Sequence, residues 1–375
     1  MSEGGATLGT MKIGITGGSG LLGWHLRCAL SALGITSVRQ ADRRTFTDAA
    51  ALEQFITGLD AVVHLAGMNR GDAQEIEATN IRLAQQLAAA IARTSLQCTV
   101  IYSSSMHAEA DTAYGRSKRR AGEILGTALE RIGGRYVELI LPHVFGEHAR
   151  PNYNSVVATF CHQLAAGEAP EIFEDRPLEL LHAQDLADSI MEILANNAKG
   201  RIRLEGKPLG VAQLLARLEG IAAAYARNVF PDLDDPLQLR LFNTYRSYLY
   251  PRHYPLQLSV HADVRGLLFE STKQLGGGQS FLSWTNSGVT RGNHYHRRKV
   301  ERFVVVSGSA RIRLRRLLHQ ETVEFAVCGE RPCAIDIPTL HTHDIANVGD
   351  GKLLTLFWSN EIVDPANPDT YPEKV

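Results

Sequence analysis

A glycine-rich turn between the first β-type run and the first helical run limits the fold more than any other feature of this chain. Residues 12–16 read as a strand and residues 21–33 as a helix stopped by Gly34. Between them lies Thr16-Gly17-Gly18-Ser19-Gly20-Leu21-Leu22-Gly23. Small residues at Gly17, Gly20 and Gly23 let a backbone turn tightly and approach a pyrophosphate, which then sits on the positive end of the helix. Such a turn belongs to a parallel sheet with crossover helices. The rest of the first half agrees: residues 35–39, 61–65, 99–103 and 136–141 have strand character, and residues 76–92 and 114–130 are helical. From Tyr254 the texture changes. Strands shorten, glycines cluster at 276–278, and no long helical pattern remains, which predicts an all-β sandwich or barrel.

With 375 residues, two domains are expected. Residues 1–10 read as a disordered leader, 11–245 as a dinucleotide-binding α/β domain of the Rossmann-like, doubly wound type, and 246–375 as the β domain. Residues 231–255, rich in Pro, Asp and Tyr, read as a packed connector. The 39 Lys and Arg against 40 Asp and Glu leave a net charge of −1, so nothing points to a nucleic acid partner. The longest apolar runs fall short of the ~20 residues that span a bilayer, so no membrane partner is expected. Five scattered cysteines, no CxxC and no secretory segment indicate a reducing, cytoplasmic location.

The second strand ends in Ala41-Asp42-Arg43-Arg44. An acid at this place bonds a ribose hydroxyl, whereas an arginine pairs with a 2′-phosphate. The reading here is NADP(H), with Asp42 neutralised by Arg43 or turned away. The segment His64-Leu65-Ala66-Gly67 ends a later strand beside the glycine turn and lines the same cofactor. Tyr114 and Lys118 lie four apart on a helix, hence on one face. A phenol can give a proton to the alkoxide formed when hydride reaches a ketone, and a neighbouring ammonium favours phenolate and can hold the nicotinamide ribose. Ser103-Ser104-Ser105 closes a strand at the sheet's carboxyl edge, where a hydroxyl can bond the substrate carbonyl.

These motifs together resemble the extended short-chain dehydrogenase/reductase family that acts on nucleotide sugars. The resemblance places the catalytic hydroxyl at Ser105, with Ser104 second. Met106 and His107 replace the Asp-Glu pair of the family's 4,6-dehydratases, which argues against dehydration. Asn152 and Asn154, flanking Tyr153, fall where such enzymes begin to contact the sugar nucleotide.

The second half carries a different chemistry. His294 and His296 are two apart, Glu301 opens the next apolar run, and His343 comes late in the chain; His341 is the rival fourth ligand. Three imidazoles and a carboxylate suit Zn²⁺ or another divalent transition metal. The spacing Gly288-x5-His294-x-His296-x4-Glu301-x6-Gly308 resembles the first motif of the cupins, and Pro338 to Asn347 the second, with Leu340 in place of a glycine. Residues 263–270 resemble a segment of the cupins that epimerise deoxysugar nucleotides, in which the arginine, here Arg265, contacts phosphate. Tyr295 and His341 are the titratable candidates for the epimerising base.

A C–H beside a ketone is acidic only while the ketone persists, so epimerisation must precede reduction. Residues 11–375, including 151–160, 243–249 and 364–371, resemble the bifunctional CapF/WbjC type of capsule and O-antigen enzyme on the path to UDP-N-acetyl-L-fucosamine. The resemblance implies C3 epimerisation of a UDP-2-acetamido-2,6-dideoxy-4-hexulose in the β domain. It further implies NADPH reduction at C4 to UDP-2-acetamido-2,6-dideoxy-L-talose and suggests a homodimer. The rivals are a reductase or epimerase of another nucleotide sugar with a purely structural cupin, and a non-catalytic dinucleotide and metal sensor.

Overall fold

Three short runs, each buried on both faces, make the centre of the first sheet. In the computed structural model, which describes residues 8–375, the elements of the first part are β1 (Ile13–Thr16), α1 (Leu21–Ala32), β2 (Val38–Ala41), α2 (Ala49–Ile56), β3 (Ala61–His64), α3 (Ala73–Thr94), β4 (Thr99–Ser103), α4 (Ala113–Arg131), β5 (Arg135–Ile140), β6 (His143–Phe145), α5 (Val156–Ala165), β7 (Pro177–His182), α6 (Ala183–Ala195), β8 (Gly200–Arg203) and β9 (Lys207–Gly210). Six strands form one all-parallel sheet in the order β2-β1-β3-β4-β5-β8. The chain reverses its direction of travel between β1 and β3, which opens a crevice at their carboxyl ends. Consecutive residues serve opposite cores: Val63 and Ile101 pack with Leu26, Leu30 and Ile190 of α1 and α6, while Val62 and Val100 pack with Leu87, Ile91 and Leu125 of α3 and α4. Each such side chain contributes ~1.5–3 kcal/mol when fully buried. A smaller sheet, β6-β7-β9, follows.

Two expectations for this part need correction. The second strand is residues 38–41, not 35–39: the amide of Val38 bonds back to the Thr36 carbonyl in a tight turn, and Ile35 instead drops into the core. The leader expected over residues 1–10 lies outside the described residues as far as residue 7, and Leu8–Thr10 form a 3-10 turn rather than disordered chain.

The second part comprises α7 (Val211–Ala226), β10 (Val229–Phe230), α8 (Pro236–Leu249), β11 (Leu256–Gln257), β12 (Val260–Asp263), β13 (Gly266–Phe269), β14 (Lys273–Gln274), β15 (Gln279–Thr285), β16 (Thr290–Tyr295), β17 (Glu301–Ser307), β18 (Ser309–Arg316), β19 (Thr322–Cys328), β20 (Cys333–Ile337), β21 (His341–Asn347), β22 (Leu353–Ser359) and β23 (Tyr371–Pro372). Two five-stranded antiparallel sheets, β11-β20-β17-β22-β15 and β19-β18-β21-β16-β23, dominate it.

The chain divides into two compact units, residues up to 156 with 176–210, and residues 157–175 with 211–375. The compositional boundary at 245/246 is therefore displaced. Helices α7 and α8 belong with the strands because their polar side chains bond to them. The Tyr225 hydroxyl donates to the Asp336 carboxylate, Arg246 Nη1 to the Ile337 carbonyl at 3.0 Å, and Asn243 Nδ2 to the Arg298 carbonyl at 3.0 Å. Asp336 is also held by Arg302, whose Nε is 2.6 Å from Oδ1 with both side chains buried. Among the described residues no helix is long and apolar enough to cross a membrane.

Candidate active site and metal centre

In the first unit, the turn after β1 is as tight as its glycines allow. Gly17 has φ +72°, and a β-carbon there would lie 2.9 Å from the Ala66 amide nitrogen. At Gly23 a β-carbon would lie 2.4 Å from the Gly17 carbonyl oxygen. Gly20 caps α1 without any side-chain bond, so the amides of Leu21, Leu22 and Gly23 form an uncapped first turn suited to an anion. The end of β3 is pinned against this turn: Ala66 N donates to Thr16 Oγ1 at 3.2 Å, and Leu65 N to the Thr16 carbonyl at 3.2 Å. Thr16 Oγ1 also lies 2.7 Å from His64 Nδ1. Burial lowers the His64 pKa to about 3, so the ring is neutral. Gly67 continues the same segment. At the end of β2, Asp42 accepts from Thr45 N at 2.9 Å and Thr45 Oγ1 at 3.0 Å, and these bonds hold its carboxyl below the usual range. Arg43 and Arg44 beside it are exposed.

The Tyr/Lys pair stands on the first turns of α4, which Thr112 caps by accepting from Gly115 N at 3.0 Å. Ser105 caps the short 3-10 turn after β4, accepting from His107 N at 3.1 Å. Its hydroxyl also faces the Tyr114 phenol: burial raises the phenol's pKa, and the neighbouring Ser105 hydroxyl lowers it in part. Lys118 Nζ donates to the Ser103 carbonyl at 2.8 Å and lies 5.7 Å from the centre of the Tyr114 ring. Ser104 is buried with no hydrogen bond to its hydroxyl, so Ser105 is the serine that faces Tyr114. Burial lowers Lys118 to about 8. A phenol donor and an ammonium are both protonated at low pH, so kcat/KM for ketone reduction is expected to fall as pH rises through about 8. A pH profile flat up to the ordinary lysine range, ~10.4, would remove Lys118 from this role.

Asn80 was not anticipated from the sequence. It is buried on α3, exchanges bonds with Met68 N and O at 2.6 and 2.8 Å and donates to Ser117 Oγ at 2.9 Å, bracing the chain beyond Gly67 against α4. A buried Asn on the apolar stripe of an amphipathic helix was the only available signal. Asn152 occupies a left-handed turn (φ 54°) before α5, with Asn154 exposed at its end.

In the second unit, His294, His296, Glu301 and His343 converge, with their ligand atoms all within 4.8 Å of one another. His294 on β16 stands directly opposite His343 on β21, and Glu301 comes from the other five-stranded sheet. Gly292 (φ +102°) permits the close approach, since a β-carbon there would lie 2.7 Å from the His343 carbonyl oxygen. His296 Nε2 lies 2.9 Å and His343 Nε2 3.6 Å from Glu301 Oε2. Leu340, standing where the resemblance expects glycine, takes the glycine conformation itself (φ 58°) at a cost of ~1–2 kcal/mol, so His343 reaches the cluster. His341 instead lies with its ring against Tyr250 and is outside the cluster. Tyr295, one residue from His294, stacks on Tyr371.

The donor set fits a divalent ion. His343 Nε2 is buried without a hydrogen-bond partner, and burial with the neighbouring imidazoles holds that ring far below its ordinary pKa, hence neutral and able to ligate. Burial likewise lowers His294. Burial opposes ionisation of Glu301, but contact with His296 outweighs it and holds the carboxyl at about 2. A cavity of about 420 Å³ opens over the cluster, lined by His294, Glu301, Phe281, Phe303, Phe357 and Arg291. Arg291 lies within the histidine motif yet was given no role from the sequence. Arg265 is not among the lining residues; it sits exposed at the tip of the β12–β13 hairpin, paired with Asp263.

Residues 13–204 match the NAD dependent epimerase/dehydratase family and residues 261–371 the polysaccharide biosynthesis C-terminal domain. A relative from Pseudomonas aeruginosa, UDP-2-acetamido-2,6-beta-L-arabino-hexul-4-ose reductase, is 32% identical over 366 residues, 96% of this chain and 98% of the relative. The capsular polysaccharide assembling protein CapF of Staphylococcus aureus is similar in structure, with TM-score 0.60 and 30% identity over 97% of this chain and 100% of that one. UDP-N-acetylglucosamine 4-epimerase of Methanobrevibacter ruminantium covers 64% of this chain and is itself 98% covered; TM-score 0.55 at 19% identity indicates a shared fold alone.

Proposed function

The chain belongs to the NAD-dependent epimerase/dehydratase family, in the branch that carries a polysaccharide-biosynthesis C-terminal domain, and on that premise we propose that it is a two-site enzyme for one keto-sugar nucleotide. It is an oxidoreductase of UDP-sugars. Our finer reading is C3 epimerisation of a UDP-2-acetamido-2,6-dideoxy-4-hexulose in the second unit, read as a cupin, followed by C4 reduction in the first to UDP-2-acetamido-2,6-dideoxy-L-talose. The observation that carries it is that one chain assembles both a Ser105–Tyr114–Lys118 constellation and a four-ligand cluster beneath a substrate-sized cavity.

In the reductase site Ser105 and the Tyr114 phenol hold the ketone oxygen. Tyr114 gives up its proton to that oxygen as it becomes an alkoxide, and Lys118 steadies the phenolate left behind. A bound nicotinamide supplies the hydride. NADPH is the preferred form in this reading, because the Asp42 carboxylate is occupied by Thr45 while Arg43 and Arg44 are exposed. The Leu21, Leu22 and Gly23 amides take the pyrophosphate, with Leu65, Ala66 and Gly67 alongside. In the second site His294, His296, Glu301 and His343 would hold the ion, with Zn²⁺ the first choice, and its charge would supply Lewis-acid stabilisation of negative charge on the ketone oxygen. Arg291 at the cavity wall offers the positive charge that a diphosphate requires. Asn152, Asn154 and Arg265 are proposed as further sugar-nucleotide contacts.

We assign a cytoplasmic location and a homodimer. The edge strand β15 exposes Phe281, Leu282 and Trp284, an apolar edge of the kind that a second copy covers. Sedimentation of a monomer at micromolar concentration would contradict the dimer.

Incubating the protein with the 4-keto UDP-sugar in D₂O, with and without NADPH, tests the two-site reading. Deuterium at C3 without NADPH is expected. Reduction without any exchange at C3 would confine the chain to one activity and leave the second unit structural.

A further inference from the structure

The loop between two of the cluster residues, His296 and Glu301, is held by one residue near the end of the chain. Asp369 is buried and left-handed (φ 45°), just before β23. It reaches the loop with two different groups. Its backbone carbonyl accepts from His296 Nδ1 at 2.6 Å. Its carboxylate accepts from three successive amides: Arg297 N at 3.2 Å, Arg298 N at 2.9 Å and Lys299 N at 2.8 Å. Successive N–H groups pointing at one anion form a nest. Arg298 Nη1 lies 3.9 Å from the carboxylate, farther than any of these three amides. The loop is steadied further by Lys299 Nζ on the Pro368 carbonyl at 2.9 Å and by Val300 N on Asn360 Oδ1 at 2.8 Å.

A carbonyl can only accept. Nδ1 of His296 therefore carries a proton, and Nε2, whose 2.9 Å hydrogen bond to Glu301 a bound ion would replace, is the nitrogen left to offer a lone pair to that ion. The carboxylate acts on the other side of the same ligand by setting the path of the backbone from His296 to Glu301. These ligands come from opposite ends of one loop, and the nest between them decides whether they arrive together.

We propose that Asp369 is a positioning residue of the metal centre: the C-terminal tail completes the site by fixing the tautomer of His296 and the loop that joins it to Glu301. This rests on the metal reading of the cluster given above. It has a reciprocal consequence. If the ion needs the tail in place, the bound ion must hold the tail in place to the same degree.

The test uses the full-length chain, stripped with a chelator and titrated with Zn²⁺ against a chromophoric competitor. Asp369→Gly keeps the left-handed backbone and the carbonyl but removes the carboxylate; Asp369→Asn tolerates the conformation and keeps one acceptor oxygen. The glycine variant is expected to bind Zn²⁺ ~10–100-fold more weakly, with the asparagine variant between it and the parent. Hydrogen exchange at the amides of Arg297, Arg298 and Lys299 should slow when Zn²⁺ is added to the parent and respond less in the glycine variant. NADPH affinity should not move. A merely structural role would lower the melting temperature of the metal-free variants and leave Zn²⁺ affinity at the parent value, and that outcome overturns the proposal. If the glycine variant does not fold, unchanged affinity in Asp369→Asn overturns it equally. A parent chain that binds no Zn²⁺, Fe²⁺, Mn²⁺ or Ni²⁺ refutes the metal reading itself, and the positioning role with it.

Discussion

Tyr114→Phe is expected to abolish C4 reduction while C3 exchange continues. The phenol stands beside Ser105 at the sheet's carboxyl edge, where it can give a proton to a ketone oxygen, and losing a positioned general acid costs roughly 10²–10⁴-fold in kcat. Phenylalanine keeps the ring and its packing, and Lys118 keeps its bond to Ser103, so the fold and NADPH binding should survive. The measurement pairs NADPH oxidation with deuterium incorporation from D₂O on the same sample. Near-normal reduction would show that another group protonates the alkoxide. Loss of exchange together with reduction, in a folded protein, would show that the two activities do not divide between two sites.

The converse variant, His294→Ala with His296→Ala, should remove bound metal and C3 exchange together. Two of the four converging donors disappear, and Glu301 loses the imidazole that keeps its carboxyl ionised against burial. Since loss of one supporting contact already costs ~10–100-fold in metal affinity, loss of two ligands should leave no measurable ion by elemental analysis. A substrate already inverted at C3 should still be reduced, because none of Ser105, Tyr114 or Lys118 is altered. Exchange that persists without metal would assign the ion to fold stability alone.

How far all this could be read in advance depended on the range of the interaction. The strands β1, β3 and β4 announce themselves because a parallel sheet buried on both faces demands continuous apolar runs. The glycine turn is legible because only residues without a β-carbon survive contacts of 2.4 Å and 2.9 Å. Tyr114 and Lys118 are legible because helical periodicity puts them on one face. The spacing of His294, His296 and Glu301 likewise marks a candidate ligand set before any coordinate is known.

Other features follow no local rule. Whether Ser104 or Ser105 meets Tyr114 depends on how the chain leaves β4. Whether His341 or His343 joins the cluster depends on a leucine adopting a conformation normally left to glycine. The placement of α7 and α8 with the strands is set by Tyr225, Asn243 and Arg246, whose partners lie far along the chain. Asp369 is the extreme case, since its nest lies about seventy residues upstream. Chirality, periodicity and the size of a side chain act on neighbours, so the sequence alone determined most of the elements, the glycine turn and the candidate residues of the two sites. A buried hydrogen bond has no such period. Its partner is whichever group packing brings within about 3 Å, and only the tertiary structure could decide which distant residues brace the four converging donors and which serine faces the phenol.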